Sequence, residues 1–334
     1  KICDIIREIL LDKQAVCSYG AKTELSMEGG RIISTEPFYA YIKIAEGCSN
    51  NCTYCAIPSI RGKYRSRRME DIVKEARWLA ENGVTELVVV AQDTTRYGED
   101  IYGKSMLPEL LTALCEIDGF KWIRTLYCYP ERITDELLDV IAKEDKLVKY
   151  LDMPIQHCNK TILKRMNRHG DRETLTALIK KIREKIPNVT LRTTLITGFP
   201  GETEEQFEEL CEFVKEIRFE RLGCFAYSPE EGTPAEKFED QVPLKDRERR
   251  AEIIMEEQMI ISDSFNEAAL DSEVEVVCEG FDRYAECYYG RSQADAPEID
   301  GKIFFLSEDK VRVGEYVKVK IDDTMDYDLI GSKM

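Results

Sequence analysis

Between Tyr39 and about residue 270, short apolar runs alternate with longer segments in which apolar residues recur every three or four positions. The short runs predict strands and the periodic segments predict helices. The predicted strands cover 39–45, 86–91, 122–128, 147–153, 189–196 and 221–227. The predicted helices cover 69–82, 106–115, 134–142, 173–185 and 204–217, and a longer helix follows over about 245–265.

This alternation predicts an α/β fold whose parallel strands are joined by right-handed crossovers. Six strand–helix units are too few to close an eightfold barrel, so the sequence predicts an open, partial (β/α)6 barrel. Ligands of such sheets bind at the carboxyl ends of the strands. Polar and glycine-containing segments follow the predicted strands at 46–55, 92–95, 129–132, 156–157, 197–202 and 227–228. We expect these segments to converge at one mouth of the barrel.

From about residue 267 the pattern changes to short alternating strands separated by turn residues. The segments 274–278, 285–289, 302–305 and 316–321 have this character. Such a series predicts a small all-β barrel. Residues 267–334 carry 17 acidic and 8 basic side chains, a net charge of −9, which favours a basic protein as partner.

The composition of the 334-residue chain excludes some functions. A net charge of −17 argues against a general nucleic-acid binder, because phosphate contacts need a basic face. No signal peptide or long apolar run is visible, so we expect a cytoplasmic protein with no membrane partner. In a reducing cytosol, most of the twelve cysteines are expected to be small core residues. Because the sequence starts at Lys1, we expect it to be part of a longer protein.

Three cysteines, Cys48, Cys52 and Cys55, follow one another at C-x3-C-x2-C in a polar loop. Thiolates prefer iron–sulfur clusters, zinc or copper(I). A structural zinc site needs four ligands, and the two histidines, His157 and His169, lie far along the chain. The spacing therefore favours a [4Fe-4S] cluster with one open iron, which can chelate the amino and carboxylate groups of a methionine moiety. Unconnected cysteines, or a zinc site completed by a distant cysteine, remain as alternatives.

This cysteine spacing, with Tyr54 before the third cysteine, resembles the radical S-adenosylmethionine superfamily. The flanking stretches 41–48 (YIKIAEGC) and 56–67 (AIPSIRGKYRSR) resemble the methylthiotransferases of the RimO and MiaB type. This resemblance implies the partial barrel that the periodicity predicts independently.

Three further stretches resemble the RimO branch of that family, namely 91–98 (AQDTTRYG), 154–157 (PIQH) and 290–301 (GRSQADAPEIDG). Gln293 departs from the pattern, because an aromatic residue is common at this position. The resemblance covers residues 39 to 330 and implies methylthiolation of an aspartate β-carbon in small-subunit ribosomal protein twelve. The alternatives are methylthiolation of a transfer RNA adenosine, as in the MiaB branch, and a non-enzymatic metal-binding module.

The resemblance also implies a set of cofactors and partners. The cluster at Cys48, Cys52 and Cys55 would deliver one electron to S-adenosylmethionine, and the resulting deoxyadenosyl radical would abstract hydrogen from the substrate carbon. A second [4Fe-4S] cluster, the source of the transferred sulfur, is expected in an N-terminal domain. A low-potential electron donor such as flavodoxin or ferredoxin is expected to reduce the radical-forming cluster.

The resemblance divides the chain into three parts. Residues 1–36 would be a remnant of the N-terminal methylthiotransferase domain, 37–266 the radical S-adenosylmethionine domain, and 267–334 a TRAM domain. TRAM domains often bind RNA, but the net charge of −9 predicts that this one does not bind nucleic acid directly.

Several residues near the predicted strand ends are candidates for cofactor binding. A polar pair after a strand is either a helix cap or a site pair, and glycines are either turn residues or places where backbone approaches a ligand. For Arg192 and Thr194, periodicity does not decide which faces the barrel interior. The candidates are Tyr54, Gln92, Asp93, Arg192, Thr194, Gly198 and Gly201.

A basic cluster follows the cysteine loop in this acidic protein, and consists of Arg61, Lys63, Arg65, Arg67 and Arg68. It is either a solvated face or an anion site for a cofactor carboxylate, a substrate carboxylate or an acidic electron donor.

Replacing Cys48, Cys52 or Cys55 with alanine is expected to abolish cluster binding and cleavage of S-adenosylmethionine, because no spare ligand lies nearby. Iron content and cleavage after anaerobic reconstitution measure both effects. Alanine at Cys115, Cys211 or Cys224 should leave the iron content unchanged. Full cleavage activity in the Cys52→Ala protein would refute the assignment.

Overall fold

The computed structural model describes residues 2–12, 27–34 and 36–334, in two compact units that meet in sequence at Arg31 and Ile32. The first unit contains helix α1, Ile2–Asp12. The predicted N-terminal remnant, 1–36, falls partly outside the described residues, because 13–26 are not among them. The elements that follow all belong to the second unit.

The α/β part of this unit contains eight strands and nine helices among the described residues. The strands are β1 Tyr39–Lys43, β2 Ala45–Glu46, β3 Arg65–Ser66, β4 Glu86–Val90, β5 Trp122–Thr125, β6 Tyr150–Asp152, β7 Thr190–Thr197 and β8 Arg221–Ala226. The helices are α2 Ile57–Arg61, α3 Met69–Glu81, α4 Glu99–Tyr102, α5 Leu107–Cys115, α6 Asp135–Lys143, α7 Lys160–Arg165, α8 Arg172–Lys185, α9 Glu204–Ile217 and α10 Leu244–Ala268.

Six of the strands are parallel and form two three-stranded sheets, β1-β4-β5 and β6-β7-β8. A single bridge between Ile123 and Leu147 joins β5 to the chain just before β6. The partial (β/α)6 barrel is therefore confirmed, with only one β-bridge between its two sheets among the described residues. Helices α2, α4 and α7 were not predicted, because elements of four to six residues are too short to show a helical period.

The parallel strands bury both of their faces, as expected for a sheet covered by helices. Ala40 and Ile42 of β1 belong to the large core shared with the helices. Tyr39, the neighbour of Ala40, belongs instead to a second cluster with Val88 and Tyr150. Because successive side chains of a strand point to opposite faces, this second cluster lies inside the partial barrel.

The last part of the chain forms a closed five-stranded barrel in the order β10-β11-β13-β12-β9, which confirms the predicted β-barrel. Its strands are β9 Glu273–Asp282, β10 Cys287–Arg291, β11 Ile303–Leu306, β12 Tyr316–Met325 and β13 Asp328–Lys333. Strand β13 was not predicted, because its short sequence contains Gly331. A Cβ at this glycine would lie 2.2 Å from the carbonyl oxygen of Lys320, so close pairing of β12 and β13 requires glycine here.

A buried charge cluster joins the β-barrel to the start of the parallel sheet. Glu86, Arg124 and Arg291 are each at most 2% exposed. Arg124 Nε donates to Glu86 Oε1 at 3.0 Å, and Arg291 pairs with the other oxygen of Glu86. Arg291 Nε also donates to Glu279 Oε1 at 2.7 Å. Two guanidinium groups thus share the buried carboxylate of Glu86 on β4, and Arg291 has Glu279 as a second partner.

No helix among the residues described here is long and apolar enough to cross a membrane.

Replacing Glu86 with glutamine is expected to lower the free energy of unfolding by about 3–5 kcal/mol, because it leaves the buried Arg124 without its counter-charge and leaves Arg291 with Glu279 alone. Urea unfolding measures this change. The matched control is Glu275→Gln, which removes the exposed pair of Lys121 and Glu275 across the same two parts of the unit. That change should cost less than about 1 kcal/mol. Equal losses in the two variants would contradict the buried-charge argument.

Candidate functional site

The cysteine loop begins directly after β2, at the carboxyl end of the first strand region. Gly47 has φ of 76°, and a Cβ there would lie 2.3 Å from the carbonyl oxygen of Lys63. The next residue, Cys48, donates its N–H to the carbonyl oxygen of Gly62 at 3.1 Å. Glycine at 47 therefore lets the outgoing and returning chains lie against each other and fixes where Cys48 emerges.

Side chains from other elements fix the remainder of the loop. Asn50 Nδ2 donates to Asp93 Oδ2 at 2.9 Å, while Asn50 Oδ1 accepts from Arg96 Nη1 at 2.9 Å. Asn167 Nδ2 donates to the carbonyl oxygens of Asn50 and Asn51. Thr53 Oγ1 donates to the carbonyl oxygen of Arg165 at 2.8 Å. The protein's own hydrogen bonds therefore hold the loop from both sides of the barrel mouth.

The three loop thiols are all free, and they differ in exposure. Cys52 is buried, whereas Cys48 and Cys55 are half-buried. Burial raises the pKa of the Cys48 and Cys55 thiols. Within the described ranges, no three His, Cys, Asp or Glu side chains are already arranged to hold a metal ion.

The donor set nevertheless fits an iron–sulfur cluster, because three soft ligands lie within one eight-residue loop, from Cys48 to Cys55. The predicted ligands Cys48, Cys52 and Cys55 are thus brought together. Nine-tenths or more of Cys52 is enclosed by protein, whereas solvent reaches the other two thiols.

Sequence reasoning missed one contact of Cys52. Its Sγ lies 2.9 Å from Tyr129 Oη, in a hydrogen bond whose donor can be either atom. The guanidinium of Arg168 lies 4.2 Å from the centre of the Tyr129 ring and donates to the carbonyl oxygen of Pro154 at 2.7 Å. A buried arginine in a short turn after α7 has no sequence signal, because its partners Tyr129 and Pro154 come from the segments that follow β5 and β6.

Gln92 and Asp93 have different surroundings although they are adjacent. Gln92 is exposed and lines a cleft beside the loop. Asp93 is fully buried, where Oδ1 accepts from Thr95 Oγ1 at 2.5 Å and Oδ2 accepts from Asn50. The main structural contact of Asp93 is therefore with the cysteine loop.

Arg192 and Thr194 are two residues apart on β7 and lie on the same, half-buried face of the strand. Arg192 Nη1 donates to Asp152 Oδ1 at 2.9 Å, and its Nε lies 3.6 Å from Asp300 Oδ1. Arg192 is thus already paired with two carboxylates toward the amino end of the barrel. Thr194 lies two residues further along β7, nearer to the carboxyl mouth of the barrel.

The glycine turn after β7 is held mainly by packing. A Cβ at Gly198, where φ is 66°, would lie 2.3 Å from Cγ of Arg247, and one at Gly201 would lie 2.5 Å from Asp240 Oδ2. The intervening Phe199 is buried and makes an edge contact with Tyr54 at 6.4 Å between ring centres. Both glycines are therefore needed for close packing, and Tyr54 links the cysteine loop to their turn.

Glu202 ends this turn and binds its backbone. Gly198 N donates to both oxygens of Glu202, at 2.9 and 3.0 Å, and Arg250 Nη1 donates to Oε1 at 2.8 Å. His157 Nε2 lies 3.5 Å from Oε2, and His157 Nδ1 accepts from the N–H of Asn159 at 2.8 Å. His157 is a fully buried residue beside this turn.

The basic cluster after the loop does not act as one surface. Arg67 is buried, donates to the carbonyl oxygen of Lys43 at 2.8 Å and pairs with Glu75 at 2.7 Å. Arg61 is half exposed and lies 3.6 Å from Glu46. Arg68 is exposed and precedes α3.

A cleft of about 380 Å³ opens beside the cysteine loop, inside the partial barrel. Its walls come from the carboxyl halves of β1 and β4, from the residues that follow β4 and β5, and from the β-barrel part of the chain. The lining residues are Tyr41, Lys43, Ala45, Glu46, Val90, Ala91, Gln92, Leu126, Tyr127 and Ile299.

Comparison with protein families gives two matches. The radical SAM superfamily matches residues 42–214, and the TRAM domain matches residues 272–333.

Curated relatives match nearly the whole chain. The ribosomal protein uS12 methylthiotransferase RimO of Clostridium tetani (strain Massachusetts / E88) is 50% identical over 333 residues, which are 99% of this chain and 74% of that protein. The protein of the same name from Clostridioides difficile (strain 630) is 53% identical over 90% of this chain and 68% of its own length. Among solved structures, the radical SAM enzyme coproporphyrinogen III oxidase of Escherichia coli is 22% identical, with a TM-score of 0.49 over 68% of this chain and 52% of its own.

Replacing Asp93 with alanine is expected to reduce the iron bound per chain after anaerobic reconstitution, because Asn50 and Thr95 lose their acceptor and the cysteine loop loosens. The unpaired donors should also lower the free energy of unfolding by about 1–3 kcal/mol. Iron analysis and urea unfolding measure the two effects. The neighbouring Gln92→Ala change, at an exposed position, serves as the control and should alter neither. Normal iron content in the Asp93→Ala protein would show that the loop does not depend on this carboxylate.

Proposed function

Because this chain belongs to the RimO family of radical S-adenosylmethionine methylthiotransferases, we propose that it methylthiolates the β-carbon of an aspartate in ribosomal protein uS12. The observation that carries this function is the loop of three free thiols at the carboxyl mouth of a partial (β/α)6 barrel. Two relatives that are about half identical to this chain over nearly its whole length are both named ribosomal protein uS12 methylthiotransferase RimO. The transfer RNA alternative has no comparable support.

Cys48, Cys52 and Cys55 are the proposed ligands of a [4Fe-4S] cluster that leaves one iron open for S-adenosylmethionine. When bound, this pair supplies one-electron chemistry that removes a hydrogen atom from an unactivated carbon. The half-exposed Cys48 and Cys55 present their thiols to solvent, while Cys52 must exchange its hydrogen bond with Tyr129 for ligation. Asp93 and Asn50 hold the loop in the position that ligation needs.

The remaining site residues have proposed roles around S-adenosylmethionine. Tyr54 and the turn at Gly198 and Gly201 are in contact through Phe199, which supports one shared wall. Gln92 lies two residues after β4 and lines the cleft, and Thr194 lies on the half-buried face of β7. Arg192 is proposed to reach the cofactor less directly, since Asp152 and Asp300 already bind its guanidinium.

The proposed reaction needs parts beyond this loop. We place a second [4Fe-4S] cluster, the sulfur source, in an N-terminal domain of which residues 1–36 are the remnant, followed by a radical domain over 37–266 and a TRAM domain over 267–334. An acidic, low-potential donor such as flavodoxin or ferredoxin would reduce the first cluster. The exposed Arg68 and half-exposed Arg61 near the loop support such a donor.

The proposed substrate is a basic ribosomal protein, so we place the reaction in the cytoplasm. The acidic residues 267–334 support attraction of such a protein and repulsion of nucleic acid.

Purified uS12 incubated anaerobically with the reconstituted full-length enzyme, S-adenosylmethionine and a reductant is expected to gain one methylthio group in place of a hydrogen on an aspartate. Peptide mass spectrometry locates this group. The Cys52→Ala enzyme is the matched control and should give unmodified uS12. A transfer RNA offered in the same mixture should remain unmodified. Modification of the RNA and not of uS12 would refute the proposal.

A further inference from the structure

We infer that the segment Ser292–Asp300 of the β-barrel domain, called here the floor segment, forms the bottom of the substrate cleft, and that Ile299 limits how deeply a substrate side chain enters. The inference rests on the proposed function for the identity of the substrate, an aspartate-bearing segment of uS12. It assigns the β-barrel domain a role inside the partial (β/α)6 barrel. This role is separate from any role of the domain's acidic outer surface.

The floor segment connects β10 to β11 and is held by the amino-terminal ends of the parallel strands. Arg221 Nη2, at the start of β8, donates to Asp295 Oδ1 at 2.6 Å. Tyr150 Oη, at the start of β6, donates to Asp300 Oδ2 at 2.6 Å. On the opposite sheet, Arg124 Nη1 donates to the carbonyl oxygen of Gln293 at 2.9 Å. Strands from both three-stranded sheets therefore form hydrogen bonds with the nine-residue floor segment.

The packing of the floor segment shows that it enters the partial (β/α)6 barrel. Asp295 and Ala296 are 3% and 1% exposed, and Ala296 belongs to the same buried cluster as Val88 and Tyr150. Ser292 Oγ donates to Asp295 Oδ2 at 2.7 Å, and the N–H of Ala296 donates to Asp300 Oδ2 at 2.8 Å. These internal bonds give the segment a fixed shape.

The upper side of the floor segment faces the cleft. Tyr39 Oη donates to Glu298 Oε1 at 3.0 Å, and Tyr41 Oη donates to the carbonyl oxygen of Pro297 at 3.3 Å, so β1 holds this end as well. Ile299 follows, is 41% exposed and lines the cleft. Ile299 is therefore an apolar side chain supplied by the β-barrel domain to a cavity of the catalytic domain.

The cleft leads from Ile299 to the cysteine loop. Glu46 lines the cleft and stands two residues before Cys48. Lys43, half exposed, pairs with Glu46 at 2.6 Å, so these two residues give the wall an ion pair, and the Gln92 amide supplies a donor and an acceptor. A short carboxylate side chain that enters between these groups would have an apolar floor below it and the cysteine loop above it.

Depth matters for this reaction because hydrogen abstraction acts on one carbon. A misplacement of about 1 Å can lower a rate by roughly a hundredfold. A larger residue at 299 raises the floor, and a smaller one lowers it, so both changes should move the β-carbon away from its reactive position. Neither change should affect how the cysteine loop binds its cofactors, since Ile299 has no contact with that loop among the interactions the structure describes.

The test compares Ile299→Trp and Ile299→Ala in the full-length enzyme, with Leu306→Trp as matched control. Leu306 is 59% exposed on β11 of the same domain and lies outside the cleft. The measured quantity is the amount of methylthiolated uS12 per S-adenosylmethionine cleaved. We expect at least a tenfold loss for Ile299→Trp and a several-fold loss for Ile299→Ala. Cleavage without uS12 and the thermal unfolding midpoint should remain as in the wild type.

Ile299→Leu, which keeps the volume, should restore most of the coupling, and Leu306→Trp should leave it unchanged. An unchanged ratio in both Ile299→Trp and Ile299→Ala, or an equal loss in Leu306→Trp, overturns the inference while the proposed function stands.

A binding measurement separates this failure from failure of the proposed function. The fluorescence of the tryptophan in the Ile299→Trp protein, corrected for the same titration of wild type, should shift when uS12 is added. If this fluorescence shifts but the wild-type enzyme does not modify uS12, the result supports the role of the floor segment and contradicts the proposed function. No shift, in a protein that still binds uS12, overturns the floor.

Discussion

One buried carboxylate, Glu86, determines how the two parts of the described unit fit together. It lies at the first position of β4 and carries the charge of Arg124 from β5 and Arg291 from β10. Burial of three charges is stable only when each has its partner in good geometry. This requirement fixes the β-barrel at the amino-terminal end of the parallel strands. Residues 292–300 of the β-barrel part cover that end through contacts with Arg124, Tyr150 and Arg221.

At this mouth, the position of the cysteine loop depends on protein contacts made before any cofactor binds. Gly47 permits the close return of the chain at Lys63, and the pair of Asn50 and Asp93 ties the loop to β4. Tyr129, braced by Arg168, holds the thiol of Cys52. Such contacts order the loop in the protein as it stands.

The acidic residues of the β-barrel domain fall into two groups with different consequences. Asp295 and Asp300 face the interior of the partial (β/α)6 barrel, where Arg221 and Tyr150 bind them, whereas Glu298 accepts from Tyr39 but remains exposed. The carboxylates of Asp295 and Asp300 position the floor segment and are not available to attract a partner. The net charge of −9 over 267–334 therefore overstates the charge that the outer surface presents.

The sequence by itself determined the alternation of strands and helices, the β-barrel and the cysteine loop, because apolar periodicity and ligand spacing are local properties. It missed the short helix α7, which is only six residues long, and strand β13, which contains Gly331. The requirement for glycine at 331 comes from its close approach to Lys320, which only the folded chain shows. Tertiary structure alone decided the surroundings of Asp93, Arg192 and Arg168. Their partners lie up to about a hundred residues away in sequence, and the pairing of buried charges depends on which strands become neighbours. For the same reason, only the folded chain could bring Ile299 from the last domain to the cleft beside Cys48.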